Sequence, residues 1–250
     1  MKPTVLISGA CGGIGSALCE VFAEADYRVI GIDLASPYGF AHDVITCDIR
    51  TIAKFRHSAD DLRLKVLERT NGRLDALINN AALQIVKPCS ELTRDDWADT
   101  LDTNLLAPFW LSRLFLPELQ SIRGSIVNIG SIHAKLTKRS FIAYATSKGA
   151  LETMTRAMAL DLAPDVRVNA VAPAATDTPM LQAGFTGQPE RFAELERYHP
   201  LGRIATPEEV ARVALFLAGS QTGFMTGTTV NVDGGISGCL SDPSCIERSV

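Results

Sequence analysis

The chain has 250 residues, 46% apolar and 21% charged, with 28 acidic side chains against 24 Lys and Arg. That length and composition suit one water-soluble α/β domain with a sizeable core. A net charge of −4 gives no general pull toward nucleic acid or anionic lipid, and nowhere do about eighteen apolar residues run uninterrupted, which excludes a spanning helix.

In chain order, Met1-Lys2-Pro3 leads straight into the apolar run Thr4 to Ile7, without the longer core of an export signal. The first predicted strand covers 4–8. Ser8-Gly9-Ala10-Cys11-Gly12-Gly13-Ile14-Gly15 follows it directly. Ile14, Leu18, Val21, Phe22 and Ala25 then share one helical face, and a second strand covers 27–33. Glycines between a strand and a helix let main-chain amides and a helix N-terminus approach a pyrophosphate, so the expected guest is a dinucleotide. Asp33 ends the second strand eighteen residues past Gly15. Its carboxylate can accept ribose hydroxyls and repels a 2′-phosphate, and the glycine loop holds no Lys or Arg; the reading is NAD.

Further strands are predicted over 43–48, 74–79, 125–130, 166–171 and 228–232, each short and almost continuously apolar, as doubly buried parallel strands are. Helix starts stand at Thr93-Arg94-Asp95-Asp96 and at Thr206-Pro207-Glu208-Glu209, the second opening Val210 to Leu217. Residues 179–205 lack a clear period and read as an excursion covering the substrate. The expected fold is a seven-stranded, doubly wound parallel sheet between two helix layers, as one domain over 1–250. The cysteines at 11, 19, 47, 89, 239 and 245 show no metal-ligand spacing with His42, His57, His133 or His199. Cys11, Cys19 and Cys47 read as reduced core thiols of a cytoplasmic protein, and no metal is expected.

Tyr144 and Lys148 stand four apart at the start of the apolar-periodic helix through Ala150, Leu151, Met154, Met158 and Leu162, so both project from one face. A phenol ionises near pH 10, and a neighbouring ammonium lowers that value, which prepares a general acid/base. Ser131 closes the fifth strand at its carboxyl edge, where ligands of open α/β sheets bind. His133 lies two residues beyond it, and Lys135, Lys138 and Arg139 form a basic cluster before Tyr144. Each of these is weak alone, since an exposed Tyr and Lys at helical spacing usually form a solvated face and a basic cluster is usually a solvated loop.

The ordered set of the Ser8–Gly15 loop, Asp33, Asp48-Ile49, Asn79-Asn80-Ala81, Asn104, Ser131, Tyr144-xxx-Lys148, Pro173 with Thr178, and Asp233-Gly234-Gly235 resembles the short-chain dehydrogenases/reductases. The resemblance implies a Rossmann-like fold and hydride exchange between a nicotinamide cofactor and a secondary alcohol or ketone. Tyr144 would be the acid/base, Ser131 the group orienting the substrate oxygen, Lys148 the ribose ligand that tunes Tyr144, and Asn104 a support for a proton relay. Gly9, Cys11, Gly12, Gly13, Ile14, Gly15, Asp33, Asp48, Ile49, Asn80, Ala81, Tyr144, Lys148, Pro173, Thr176 and Thr178 would hold NAD. A homotetramer is also implied. Ala82 and Ala174 stand where the family has Gly, which strains the main chain only if φ is positive there. Gly9, Gly12 and Gly15 also satisfy the spacing of the larger sugar-nucleotide epimerases, but too few residues follow Asp233-Gly234-Gly235 for their second domain. Two other functions remain open at this point: 3-oxoacyl-carrier-protein reduction, which Asp33 disfavours, and NAD sensing without turnover.

Overall fold

A computed structural model describes residues 2–37 and 39–240. Seven strands, β1 (Thr4–Ser8), β2 (Arg28–Asp33), β3 (Asp43–Thr46), β4 (Ala76–Asn79), β5 (Ser125–Ile129), β6 (Arg167–Pro173) and β7 (Thr229–Val232), pair in parallel in the order β3-β2-β1-β4-β5-β6-β7. The helices are α1 (Gly13–Glu24), α2 (Arg50–Lys54), α3 (Arg56–Thr70), α4 (Arg94–Leu101), α5 (Ala107–Leu114), α6 (Leu116–Ser121), α7 (Ile142–Leu162), α8 (Pro179–Ala183), α9 (Pro189–Arg197) and α10 (Pro207–Ala218).

Alternate residues of one strand feed two cores. Val5 and Ile7 of β1 pack with Leu18 and Phe22 of α1 and Val210 and Leu217 of α10. Leu6, between them, packs with Leu62 and Val66 of α3 and Leu111 of α5. Because side chains of a strand alternate faces, helices cover both faces and the three-layer expectation holds. All five residues of β1 and of β5 are buried, and Asn128, polar within β5, is satisfied by donating to Thr155 Oγ1 at 2.9 Å and accepting from Asn79 Nδ2 at 2.8 Å. Strand order reverses between β1 and β4, so the crevice at their carboxyl ends is the ligand position of this architecture.

Local chemistry sets the helix starts. Thr93 Oγ1 accepts from Asp96 N at 3.1 Å while Asp96 Oδ2 accepts from Thr93 N at 2.9 Å. Thr206 and Glu209 form the same reciprocal pair at α10. The expected third strand reaches two residues too far: Asp48 turns to accept from Arg50 N at 3.0 Å and opens α2 instead. The stretch 179–205 contains α8 and α9, each with Pro in its first turn, and Phe185 meets Phe192 edge-on at 5.6 Å.

Of the three cysteines read as core thiols, Cys19 alone is buried. Cys11 and Cys47 are half-buried, Cys11 because it belongs to the loop before α1 and its Sγ donates to the Ala35 carbonyl at 3.4 Å. Cys245 and the end of the tail, residues 241–250, lie outside the described residues.

Candidate active site

The loop after β1 is pinned by side chains of the β4 loop. Ser8 Oγ accepts from Asn80 N at 3.0 Å and from Ala81 N at 3.2 Å, and Asn80 Nδ2 donates to the Ser8 and Gly9 carbonyls at 3.1 and 3.0 Å. The amide of Asn80, expected to line the cofactor cleft, is therefore spent on shaping the loop. Gly9 has φ +65°, and a Cβ on Gly15 would lie 1.8 Å from the Gly9 carbonyl oxygen, so neither position accepts a side chain without moving the loop.

A Cβ on Gly12, in contrast, would meet only the Gly9 oxygen at 3.5 Å, which leaves its other side open. Gly12 caps α1 without any side-chain hydrogen bond, and the first turn holds no acid. The first amides of α1 are thus unclaimed by a cap and suited to an anion. Thr178 sits against this loop, since a Cβ on Gly13 would approach its Cβ to 2.8 Å. Pro173 ends β6, and Thr176 turns inward, with Oγ1 donating to the Ala174 carbonyl at 3.3 Å.

Asp33 Oδ2 accepts from Cys11 N at 2.9 Å and Oδ1 from Leu34 N at 2.7 Å, with no cation paired to it among the described residues. The carboxylate is held at the mouth of the loop with lone pairs to spare. Asp48 is differently placed: Arg50 Nε and Nη2 reach its oxygens at 3.0 and 2.8 Å and hold its carboxyl below the usual range. Ile49 is buried with Ile45 and Ile52, so it serves the core first. Ala82 and Ala174 bear no left-handed strain, because the described non-glycine residues with positive φ are Asp26, Asn71, Arg123 and Ser140.

At the carboxyl end of β5, Ser131 is buried, accepts from His133 N at 3.2 Å and lies close enough to the Tyr144 phenol to favour its ionised form. Burial raises the Tyr144 phenol above its ordinary value, and Ser131 works against that rise. The expected tuning by Lys148 is not what opposes burial here. Lys148 is buried, donates from Nζ to the Ile129 carbonyl at 2.8 Å and lies 5.7 Å from the Tyr144 ring centre. Burial pushes its own ammonium down to about 8. A buried cation with a carbonyl and no carboxylate is a costly arrangement, which marks the position as one kept for chemistry.

Asn104 lies fully buried in a single π-helical turn, Asp102–Leu106. Its Oδ1 accepts from Leu83 N at 2.7 Å, and its Nδ2 donates to the Leu83 carbonyl at 2.9 Å and to Ser147 Oγ at 3.0 Å. Ser147 Oγ in turn donates to the Tyr144 carbonyl at 2.7 Å. The Asn104 side chain thus ties the β4 loop to the turn of α7 that carries Tyr144 and Lys148. Sequence reasoning missed Ser147, although its place between the two, on the same helix, was a usable signal. His133 stacks on Phe141 with ring centres 4.7 Å apart and meets Tyr144 edge-on at 5.8 Å. Burial lowers its pKa to about 4, so the ring is neutral near pH 7.

Against known proteins, a family profile described as enoyl-(acyl carrier protein) reductase matches residues 9–237. The chain belongs to the short-chain dehydrogenase/reductase family. It is 37% identical over 98% of its length to an uncharacterized oxidoreductase of Schizosaccharomyces pombe, C922.06, covering 94% of that protein. Among solved members of this family, the ligand-free aldohexose dehydrogenase of Thermoplasma acidophilum superposes with a TM-score of 0.89 at 32% identity, covering 96% of each chain. ElxO with NADP bound superposes with a TM-score of 0.85 at 27% identity, over 96% of this chain and all of that one.

Proposed function

We propose that this oxidoreductase is an NAD-dependent dehydrogenase that interconverts a small secondary alcohol and its ketone, with Tyr144 as general acid/base. The observation that carries the reading is the convergence of Ser131, the Tyr144 phenol and the buried Lys148, whose Nζ lies 5.7 Å from the phenol ring centre, at the carboxyl edge of β5. A nicotinamide dinucleotide supplies the hydride acceptor or donor when bound. The open side of Gly12, the uncapped start of α1 and the Asp33 carboxylate fit its pyrophosphate and adenosine ribose. Pro173 and Thr178 would border its nicotinamide end, and Asp48 its adenine.

Ser131 Oγ, beside the phenol, fixes the substrate oxygen. Tyr144 takes the proton from the alcohol during oxidation and returns it during reduction. Lys148, buried beside the Tyr144 ring, would hold the nicotinamide ribose. Asn104 and Ser147 act one step back, holding α7 in register with the β4 loop. The surrounding aromatic rings of His133 and Phe141 keep water from one side of the phenol.

NAD rather than NADP follows from Asp33, whose charge no described cation neutralises and which would face a 2′-phosphate. ElxO binds NADP, so the relatives do not decide this point. Wild-type enzyme is expected to prefer NAD over NADP by about 100-fold in kcat/KM. Asp33→Ala is expected to lose about 10- to 100-fold of NAD affinity, the range for hydrogen bonds to a charged group. A preference of the wild type for NADP would refute the assignment.

The profile's description raises reduction of an acyl-carrier substrate, but Lys135, one of the three cations before Tyr144, is already paired with Glu152 at 3.1 Å and is not free to meet an acidic carrier. A cofactor sensor without turnover has no use for a serine hydroxyl set beside a phenol at the carboxyl edge of β5. The cytoplasm and a homotetramer complete the reading. Its support is the exposed Leu160 of α7, 81% accessible, and the open edge of β7; sedimentation at micromolar concentration should give the mass of four chains, and a monomer would count against it.

A further inference from the structure

A cavity of about 200 Å³ adjoins the proposed site, and Ser131 is part of its lining. Strand alternation explains its place. Val171, Val230 and Val232 pack with the α1 and α10 core. Their neighbours Ala172 and Asn231, paired across β6 and β7, therefore point to the α7 side of the sheet and line the cavity. The chain after β5 folds over them in tight turns: Lys135 N and Leu136 N both donate to the Ile132 carbonyl, at 3.0 and 2.9 Å. That turn brings Lys135 and Leu136 to the wall formed by Ser131 and Ile132, and Glu152 of α7 supplies another.

The polar lining is strong yet balanced. Glu152, just over two turns past Tyr144, keeps its nearly buried carboxylate 3.1 Å from Lys135 and 3.3 Å from Arg156. A carboxylate offers about four lone-pair sites and an ammonium three protons, so pairing leaves both with bonds to give. Asn231 and Ser237 add an amide and a hydroxyl. Donors and acceptors whose charges cancel are what a row of hydroxyls satisfies, since each hydroxyl gives one proton and accepts others. A carboxylate or phosphate in the cavity would face Glu152 directly. An apolar molecule would strip water from the ion pair and return no hydrogen bonds. The volume, worth about seven waters, suits a chain or ring of five or six carbons, whose C–H groups can rest on Leu136 and Ala172.

We infer that this cavity takes the distal hydroxyls of a neutral, polyhydroxylated substrate, a polyol or sugar ring, with Glu152 and Lys135 as the residues that select it. Ser131 is the link: it lines the cavity and stands beside the Tyr144 phenol. The assignment deepens the dehydrogenase reading and rests on it for the reacting end of the molecule. A simple alcohol would fill the reacting end and leave the ion pair without its extra partners, so hydroxyls far from the reacting carbon decide which substrate is preferred.

The test measures kcat/KM with NAD for cyclohexanol, myo-inositol, ribitol, D-glucose and D-galactose, with D-glucuronate and D-galacturonate as anionic counterparts. Calorimetric titration of the NADH-bound enzyme with the same compounds reads binding separately from turnover. At least one neutral polyhydroxylated probe is expected to exceed cyclohexanol by about 100-fold, from two hydrogen bonds to charged groups at about tenfold or more each. That ratio should fall about tenfold, through KM, in Glu152→Gln and in Lys135→Met. It should fall close to one in Leu136→Trp, which fills the cavity from an exposed position, and stay unchanged in Lys138→Met, whose ammonium lies over Phe141 instead. No gain over cyclohexanol, a preference for the anionic counterparts, or a ratio unmoved by Glu152→Gln and Leu136→Trp would each overturn the inference. Oxidation of cyclohexanol with no gain from added hydroxyls would remove this inference and leave the dehydrogenase reading standing. Binding of a polyhydroxylated probe that Leu136→Trp abolishes, without turnover, would do the reverse.

Discussion

Tyr144→Phe is expected to lower kcat by at least about 1,000-fold, within the range general acid/base groups supply, while NAD affinity changes less than about threefold. The substitution removes one oxygen and leaves the ring edge against His133 and Phe141 intact. Folding stability should shift by no more than about 1 kcal/mol, the worth of one hydrogen-bonding hydroxyl. The assay follows NADH absorbance with whichever secondary alcohol, aldose or hydroxy acid the wild type oxidises. Retained turnover would remove Tyr144 from the chemistry, and a matching loss of NAD binding would make it a cofactor ligand instead.

Lys148→Met is the second large effect, and it runs in opposite directions for activity and stability. Turnover should collapse, because the group proposed to hold the nicotinamide ribose beside the phenol is gone. Stability at pH 7 should rise by roughly 1–3 kcal/mol: relief of a penalty worth about 1.4 kcal/mol per pKa unit, less the lost bond to the Ile129 carbonyl. The sign follows from a folded pKa of about 8, below the ordinary 10.5 of an unfolded lysine. Below pH 8 both states carry the proton and the native state bears the full penalty. Between about 8 and 10.5 the unfolded state holds the proton more tightly, so wild-type stability gains with rising pH relative to the variant. Cys19, whose thiol burial pushes up to about 12, works the other way, but it is present in both proteins and cancels in the difference. Urea unfolding of both at pH 7 and pH 10 should show the variant's advantage shrinking; a pH-independent difference would contradict the assigned burial.

The fold was legible because its signals are local. The central strands are short, mostly apolar runs, whereas the edge strands β3 and β7 are half polar and only partly buried, and both capping boxes are complete within four residues. The glycine loop and the Tyr144–Lys148 pair were legible for the same reason, one by position after a strand and the other by helical spacing. What escaped depends on contacts between distant segments. Nothing in Asn80 itself tells that its amide will clasp the loop after β1. The π-helical turn at Asn104 inserts a residue into a helical register without a sequence mark. The division of Lys135 from Lys138 requires knowing that Glu152, nearly three turns into α7, faces one and not the other. Burial likewise reverses a simple expectation: spacing suggested that Lys148 lowers the phenol, but the enclosed site acts on both groups, raising one and lowering the other.

The central claim is that one phenol, one serine hydroxyl and the reactive end of a nicotinamide converge on the same substrate oxygen and carbon. A crystal structure with NAD and a product ketone tests it most directly. The account predicts Tyr144 Oη and Ser131 Oγ each within about 3 Å of the ketone oxygen, with the nicotinamide ring stacked against the carbonyl carbon. A ketone bound away from Tyr144, or a dinucleotide whose nicotinamide points away from β5, would contradict it.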